Sequence, residues 1–293
     1  MKDKIVYLLL LIPFAVAAQD DLMKELEQNE KKEIELIEQS FKGTRLVNGQ
    51  TVETKGEGEL EFIFAHRFGA LNTGAYNLFG LDEAYVRIGL EYGITSRLGV
   101  GVGRNSADKT MDGYLRYKVL AQSKGEKNIP VTITAFGNAA IRTSPKKEDA
   151  TYDITTQDRM SYTAQVLIAR KFNSALSLQL MPSYVHKNTV DRTIESNENF
   201  LLGIGGRVKV SRSIALTSEY YYRFNTVPND PYYNSLGFGI DIETGGHVFQ
   251  IVMTNSRGLT ERAFLTETTG NFFNGDIHLG FNVTRTFQLK KRR

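Results

Sequence analysis

The sequence contains no cysteine, and this absence excludes several kinds of site. A chain without thiols forms no disulfide bond, no thiolate metal site and no catalytic thiol, and it cannot be anchored by lipid on an N-terminal cysteine. The net charge of +3 comes from interspersed acidic and basic residues, which gives no argument for nucleic-acid binding. We therefore expect no nucleic-acid partner.

Long apolar runs are missing as well. A spanning helix needs about 20 consecutive apolar residues, and no such uncharged stretch follows the N-terminal region. Any membrane role must then depend on strands. What the sequence does contain is abundant Tyr and Phe and a composition that is too hydrophobic for a disordered chain.

The N-terminus predicts export. Lys2 and Lys4 precede an apolar run, Ile5 to Phe14, and small residues follow up to Ala18. A basic region, a short apolar core and a small-residue cleavage site define a secretory signal peptide, so we predict one over residues 1–18.

Residues 19–57 are predicted to form a short periplasmic helix and a linker. Leu22, Leu26, Ile34 and Phe41 fall near helical spacing within a highly charged stretch. The segment 20–41 is interpreted as a solvated lead-in, with a site for a periplasmic partner as the alternative. Residues 43–58 lack steady periodicity and are interpreted as the linker.

Strict alternation dominates residues 58–293. From Glu83 to Arg104, apolar side chains occupy one parity while charged residues or glycines occupy the other. A soluble sandwich would pack the apolar face on a second sheet, whereas a membrane barrel would turn it toward lipid. Twelve such runs follow one another: Glu59–Phe68, two within Glu83–Arg104, Met111–Ala121, Ile129–Ile141, Met160–Phe172, Leu176–His186, Phe200–Val210, Ile214–Phe224, Leu236–Ile242, His247–Asn255 and Asp276–Phe287.

The connections between these runs favour the barrel. Short connections alternate along the chain with mostly longer ones, of which Ser256–Gly275 is the longest. The short connections are Ile94–Arg97, Ser123–Asn128, Asn173–Ala175, Ser211–Ser213 and Thr244–Gly246. An up-and-down transmembrane barrel has short periplasmic turns, longer extracellular loops and an even number of strands. The sequence therefore predicts an all-β, up-and-down outer-membrane barrel of about twelve antiparallel strands. Its surroundings would be outer-membrane lipid, and the aromatic Phe287 near its end suits recognition by the barrel-assembly machinery.

Several segments resemble a Bacteroidetes family of predicted outer-membrane β-barrel proteins that has no assigned function. They are Phe41–Thr54, Phe64–Gly69, Asn77–Ile94, Gly245–Gly270 and Gly275–Phe287. The resemblance implies an outer-membrane barrel from about Phe41 to the C-terminus. It implies no activity and supplies no functional residues.

The charged residues of the polar parity are the candidate binding residues of the lumen. They are Arg87, Glu91, Arg116, Lys118, Arg207, Lys209, Glu219, Arg223 and Asp241. The whole polar parity from Glu59 to Glu243, of which these nine are a part, carries seven acidic and eight basic residues, so we expect little bulk charge selectivity. Two interpretations stay open, a polar channel or solute site and a ladder of cross-strand ion pairs that stiffens the wall, and the ladder is favoured.

Catalysis has little support in the sequence. Of the four histidines only His278 takes the inward parity, so no metal cluster and no cofactor are predicted. His66 and His186 lie near the predicted outer rim but in no nucleophile motif such as G-x-S-x-G.

The leading expectation is a passive pore for small polar solutes or a structural barrel. The alternatives are a lipid hydrolase and a platform for a surface or periplasmic partner. The longest loop carries apolar residues, among them Phe264 and Phe272, and we expect it to fold over or into the barrel mouth.

Overall fold

The computed structural model describes residues 34–37, 39–144 and 155–290. The predicted signal peptide and most of the predicted periplasmic helix lie outside these residues. Twelve antiparallel strands dominate the fold. They are β1 (Glu59–Ala70), β2 (Ala84–Gly93), β3 (Leu98–Asn105), β4 (Met111–Leu120), β5 (Thr132–Ile141), β6 (Met160–Lys171), β7 (Leu176–Lys187), β8 (Glu198–Lys209), β9 (Ile214–Arg223), β10 (Leu236–Thr244), β11 (His247–Thr254) and β12 (His278–Gln288).

The strands close into a barrel in chain order. Each strand pairs with its sequence neighbours, and β12 closes the ring on β1 through pairs such as Val283 with Phe64. The predicted twelve-stranded up-and-down barrel is confirmed. Closure leaves no free sheet edge, which a structure within hydrocarbon requires because unpaired backbone groups find no water there.

Large apolar side chains project outward from the wall. Val102, Leu115, Ile204 and Ile251 each expose more than half of their surface, and every one belongs to the predicted apolar parity. Most of their inward neighbours on the strands are buried, and these include charged or amide residues and glycines such as Arg116, Gln250 and Gly203. This arrangement reverses that of a water-soluble protein and suits a wall between lipid and an enclosed interior.

Most connections sort to the two ends by length as predicted, and the exceptions are residues 121–131 at the short-turn end and residues 106–110 at the other end. The short turns, such as residues 172–175 and 245–246, lie at one end together with the start of β1 and the end of β12. The long loops lie at the other end, called the outer end below. The longest, residues 255–277, contains the helix α1 (Glu261–Thr266). Among the described residues, no helix is both long and apolar enough to cross a membrane.

Two local features differ from a regular ladder. Pro182 lies within β7, and the β6–β7 pairing is interrupted opposite it because proline has no N–H to donate. The last part of the predicted N-terminal helix is extended instead: Glu35–Leu36 form a short strand that pairs with Ser123–Lys124 beside the β4–β5 turn. Pairing with the turn therefore makes Glu35–Leu36 extended, although their sequence spacing predicts a helix.

Candidate functional site: the occluded lumen

Residues 40–55 enter the barrel from the short-turn end and fill its lumen, and we call them the plug. They form a tight hairpin in which Leu46 N–H donates to the Gly49 carbonyl at 2.8 Å and Thr51 N–H donates to the Thr44 carbonyl at 3.0 Å. Nearly every plug residue is buried. The sequence analysis placed most of this segment in a periplasmic linker, whereas the structure places it inside the wall.

A carboxylate of the wall holds the tip of the hairpin. Glu219, on β9, accepts hydrogen bonds from the backbone N–H groups of Val47 at 3.1 Å, Asn48 at 2.8 Å and Gly49 at 3.0 Å. Successive N–H groups that converge on one anion form a concave nest with positive partial charge. The buried negative charge of Glu219 is thereby solvated by plug backbone instead of water.

Gly49 is required at this tip by close approach. A Cβ atom on Gly49 would lie 1.9 Å from the hydroxyl oxygen of Tyr221 and 3.1 Å from a carboxylate oxygen of Glu219. Tyr221 is fully buried, and its hydroxyl group donates to the sulfur of Met181 at 3.1 Å. Only a residue without a side chain fits between the hairpin and β9.

Arg116, on β4, holds the returning arm of the plug. Its guanidinium group donates to the carbonyl oxygens of Glu53 at 2.6 Å and Thr51 at 3.4 Å, and also to the side chain of Gln50. The Nε atom lies 3.1 Å from a carboxylate oxygen of Glu91, on β2. The planar fork of arginine suits such simultaneous contacts, which the single ammonium group of lysine would not reproduce.

Amide side chains of the wall bind the remaining plug backbone. Gln179 donates to the Gln50 carbonyl at 2.8 Å and accepts from Val52 N–H at 2.9 Å. Asn282 donates to the Val47 carbonyl at 2.9 Å. These buried backbone groups of the plug are thus satisfied by residues from distant strands, as buried polar groups generally are.

Apolar side chains lie among these polar contacts inside the lumen, and Arg116 itself stacks on the rings of Tyr114 and Phe136. Leu46 and Val52 of the plug belong to one buried cluster with inward residues of the wall, among them Tyr114, Phe136 and Met181. These wall residues share the parity of the charged ones. The plug accounts for their apolar character, since an apolar residue that faces inward needs an apolar partner to cover it.

The loop at the outer end, residues 255–277, closes the lumen from the other side and is called the mouth loop. Glu261 of α1 is fully buried and accepts hydrogen bonds from Arg45 at 2.9 Å and Gln50 at 2.5 Å, both in the plug. Phe264 is also fully buried, with its ring centroid 5.5 Å from that of Tyr221. The expected insertion of this loop into the mouth is confirmed for Phe264. Phe273 instead remains 90% exposed.

Cations fix the end of the mouth loop around Glu267. Burial by itself would raise the pKa of this carboxyl group, but Arg262, Arg142 and Lys187 outweigh burial and hold its pKa below the ordinary value of 4.5. Arg262 donates to Glu267 at 2.8 Å, and Arg142 forms a second ion pair with it. The carboxylate form of Glu267 therefore stabilises the closed mouth loop.

The structure places all nine predicted lumen residues on the inner face, but they do not form one site. Arg87 pairs with Asp112 at 2.6 Å, Arg207 pairs with Asp241 at 3.7 Å, and Arg223 pairs with Asp230 at 2.9 Å. The first two contacts are ion pairs between strands of the wall, as the sequence analysis favoured, whereas Asp230 lies in the loop after β9. The other predicted residues, Glu91, Arg116, Lys118 and Glu219, contact the plug or its partners, and Lys209 faces a cavity at the short-turn end.

The rim histidines have other partners than a nucleophile. His66 stacks on Phe281 with a centroid distance of 5.2 Å, and the Nδ1 atom of His186 lies 2.7 Å from a carboxylate oxygen of Glu198. Among the described residues, no hydroxyl group hydrogen-bonds to either imidazole. Across the same part of the chain, no group of three or more histidine and acidic residues could hold a metal ion.

Sequence reasoning missed the plug, although one signal was present. Asn48-Gly49, flanked by Leu46-Val47 and by residues of β propensity, is a common hairpin signal. The hydrogen bonds that hold this hairpin come from seven strands and are invisible in local spacing.

Comparisons with known proteins agree with this architecture. A family model described as "Membrane bound beta barrel domain (DUF5777)" matches residues 41–287, which include the plug from Phe41 onward. No curated protein matches the chain.

Several solved membrane proteins are similar to the chain. The KdgM porin has 8% identity and a TM-score of 0.47, with 78% of this chain and 99% of that chain covered. An outer membrane channel from Pseudomonas putida F1 has 13% identity, a TM-score of 0.44 and coverage of 80% and 98%. Outer membrane phospholipase A from Escherichia coli has 12% identity, a TM-score of 0.43 and coverage of 77% and 92%. At these values the likeness carries no argument about activity.

Proposed function

Because the chain belongs to this family of membrane-bound β-barrel domains, we propose that it is an outer-membrane channel for small polar solutes that the plug and the mouth loop hold closed. One observation carries the proposal. The lumen is filled by a segment that precedes the first strand, and the wall alone does not fill it. A segment attached at one end can leave without breaking the barrel.

The contacts between the plug and the wall are suited to exchange. The side chains of Gln179, Gln250 and Asn282 bind plug backbone, and the same amides hydrogen-bond equally well to water or to a polar solute. The ion pairs within the wall, such as Arg87 with Asp112, do not involve the plug and would stay intact. The opened lumen would be nearly balanced in charge, and it would expose both these polar groups and the apolar side chains that the plug covers, such as Phe136 and Met181.

The outer membrane as location is part of the proposal. A closed barrel with short turns at one end and long loops at the other is typical of that membrane. The predicted signal peptide over residues 1–18 would direct export, and the barrel-assembly machinery would insert the chain among outer-membrane lipids. A periplasmic partner that binds residues 20–41 would be placed to pull on the plug, and crosslinking from this segment tests for one.

Solute efflux from proteoliposomes tests the channel. We expect the complete chain to leak small sugars slowly, while a variant lacking residues 44–51 leaks them rapidly. Heat-modifiable electrophoretic mobility shows whether that variant forms the barrel. A folded variant that stays impermeable would contradict the channel and support the structural barrel.

We propose no enzymatic activity. The surroundings of the rim histidines support this proposal. His66 stacks on an aromatic ring, and His186 contacts a carboxylate instead of a serine hydroxyl group. Esterase assays of the protein and of the His66→Ala and His186→Ala variants test this. Hydrolysis that either substitution abolishes would contradict the proposal.

A further inference from the structure

A cavity of about 460 Å³ lies at the short-turn end of the barrel, between the base of the plug and the wall. Lys42 lines it from the plug, while Lys171, Arg207 and Lys209 line it from β6 and β8. Glu243, at the end of β10, is the one acidic residue among those that line it. The cavity is therefore a basic vestibule that faces the aqueous side of the short turns.

The basic charge of this vestibule is not neutralised by the wall. Arg207 lies 3.7 Å from Asp241 and also pairs with Glu243, so its charge is matched. Within the described part of the chain, no carboxylate forms an ion pair with Lys42, Lys171 or Lys209. Three lysines without such a partner thus line one cavity that is open to water, and like charges grouped in this way attract an anion.

The hydroxyl groups at the same place add neutral donors. Ser40 lines the vestibule from the plug, and Ser174 and Ser177 line it from the β6–β7 region. Ammonium and hydroxyl groups together are the donors that bind phosphate oxygens in proteins. The cavity volume leaves room for a polar group beside one phosphate group.

We propose that this vestibule binds a phosphate monoester of a small polar molecule, with Lys42, Lys171 and Lys209 around the phosphate group. Lys42 belongs to the plug, whereas Lys171 and Lys209 belong to the wall. The bound dianion therefore bridges plug and wall. In its absence the three ammonium groups repel one another and loosen the base of the plug. The inference that the ester keeps the channel closed rests on the proposed channel function. The inference that the vestibule binds the ester does not depend on that function.

Calorimetry on the complete protein in detergent tests the site, with glucose 6-phosphate as the probe and glucose as the uncharged comparison. We expect glucose 6-phosphate to bind and glucose not to bind. The double variant Lys171→Gln/Lys209→Gln should bind at least about tenfold more weakly, because it loses two of the three unmatched charges. Equal affinity in this variant and the unchanged protein would overturn the proposal, and so would equal affinity for glucose.

Two further variants separate the site from general effects of charge and folding. Lys124→Gln/Lys127→Gln removes the same charge from a turn at the same end but outside the vestibule, and it should leave affinity unchanged. Glu243→Gln removes the acidic residue of the lining and should strengthen binding several-fold, a change that misfolding cannot produce. Weaker binding in Glu243→Gln would contradict the assignment. Inorganic phosphate that binds as tightly as the ester would overturn the recognition of an ester.

The link to closure has its own readout. Glucose 6-phosphate should slow solute efflux through the complete protein but not through the Lys42→Gln variant. Binding without any effect on efflux would overturn the bridging role and leave the site intact. An impermeable plug deletion would refute the channel without touching the binding result.

Discussion

Replacing Gly49 with alanine should release the tip of the plug. The added methyl group would lie 1.9 Å from the Tyr221 hydroxyl oxygen, well inside contact distance. The hairpin cannot retreat freely, because Glu219 holds three of its N–H groups, and Tyr221 packs against Phe264. Overpacking of this kind costs about 2–3 kcal/mol, which corresponds to a roughly 30- to 160-fold rise in the undocked fraction of the plug.

Hydrogen exchange of the membrane-embedded protein measures this change directly. In the Gly49→Ala variant, amides of residues 44–53 should exchange faster by roughly that factor, while amides of the barrel strands keep their protection. Gly43→Ala is the matched control in the same segment, since the nearest atom to its new Cβ would be 3.8 Å away. That control should exchange like the unchanged protein.

A second substitution distinguishes the clash from other effects of alanine. Tyr221→Phe removes the hydroxyl oxygen, after which the next atom of that ring lies 3.0 Å from the alanine Cβ. The double variant Gly49→Ala/Tyr221→Phe should therefore recover much of the lost protection. Unchanged protection in Gly49→Ala, or no recovery in the double variant, would refute the docking geometry.

Three further predictions concern the contacts around the plug. Arg116→Met leaves the buried Glu91 without its ion-pair partner and should lower barrel stability by about 3–5 kcal/mol. The measurement is the thermal midpoint of the heat-modifiable electrophoretic mobility, which should fall. Arg116→Lys should not restore the stability of the unchanged protein. Because the pKa of Glu267 is lowered in the folded protein, its stabilisation of the mouth loop is complete above pH 4.5 and is lost as the pH falls through the folded-state pKa below that value. Proteolysis of the mouth loop should therefore increase at such a pH. In the Glu267→Gln variant, protease should cleave the mouth loop easily even at neutral pH. Phe264→Ala should expose the mouth loop to protease, because it leaves a cavity that costs about 3 kcal/mol, whereas Phe273→Ala should have no effect because Phe273 is already exposed.

The barrel could be predicted from the sequence because its determinants are local. A strand between lipid and lumen needs side chains of opposite character at successive positions, so Leu90 and Glu91 reveal their faces without any tertiary information. The alternation of short and long connections supplied the topology. Even the interruption at Pro182 followed from the chemistry of one residue.

The plug could not be predicted in the same way because its contacts are long-range. Glu219 was predicted as a lumen residue, but its role as acceptor for the hairpin tip depends on a segment about 170 positions away. Tyr114 and Tyr221 lie on the polar parity and had no evident purpose until the plug supplied apolar neighbours. A hairpin whose partners are spread around a barrel has no periodicity of its own.

The cations of the vestibule were likewise predictable only in part. Arg207 and Lys209 were predicted to face the lumen, and they do so. Their grouping with Lys42 was not predictable, because residues 19–57, which include Lys42, were assigned to a periplasmic helix and linker outside the barrel.

Single-channel recording in planar bilayers tests the central claim most directly, by comparing the complete protein with the variant lacking residues 44–51. The plug account predicts long closed periods for the complete protein and a stable open conductance for the folded deletion variant. Equal conductance of the two proteins would show that residues 44–51 do not block the lumen, and this result would contradict the account.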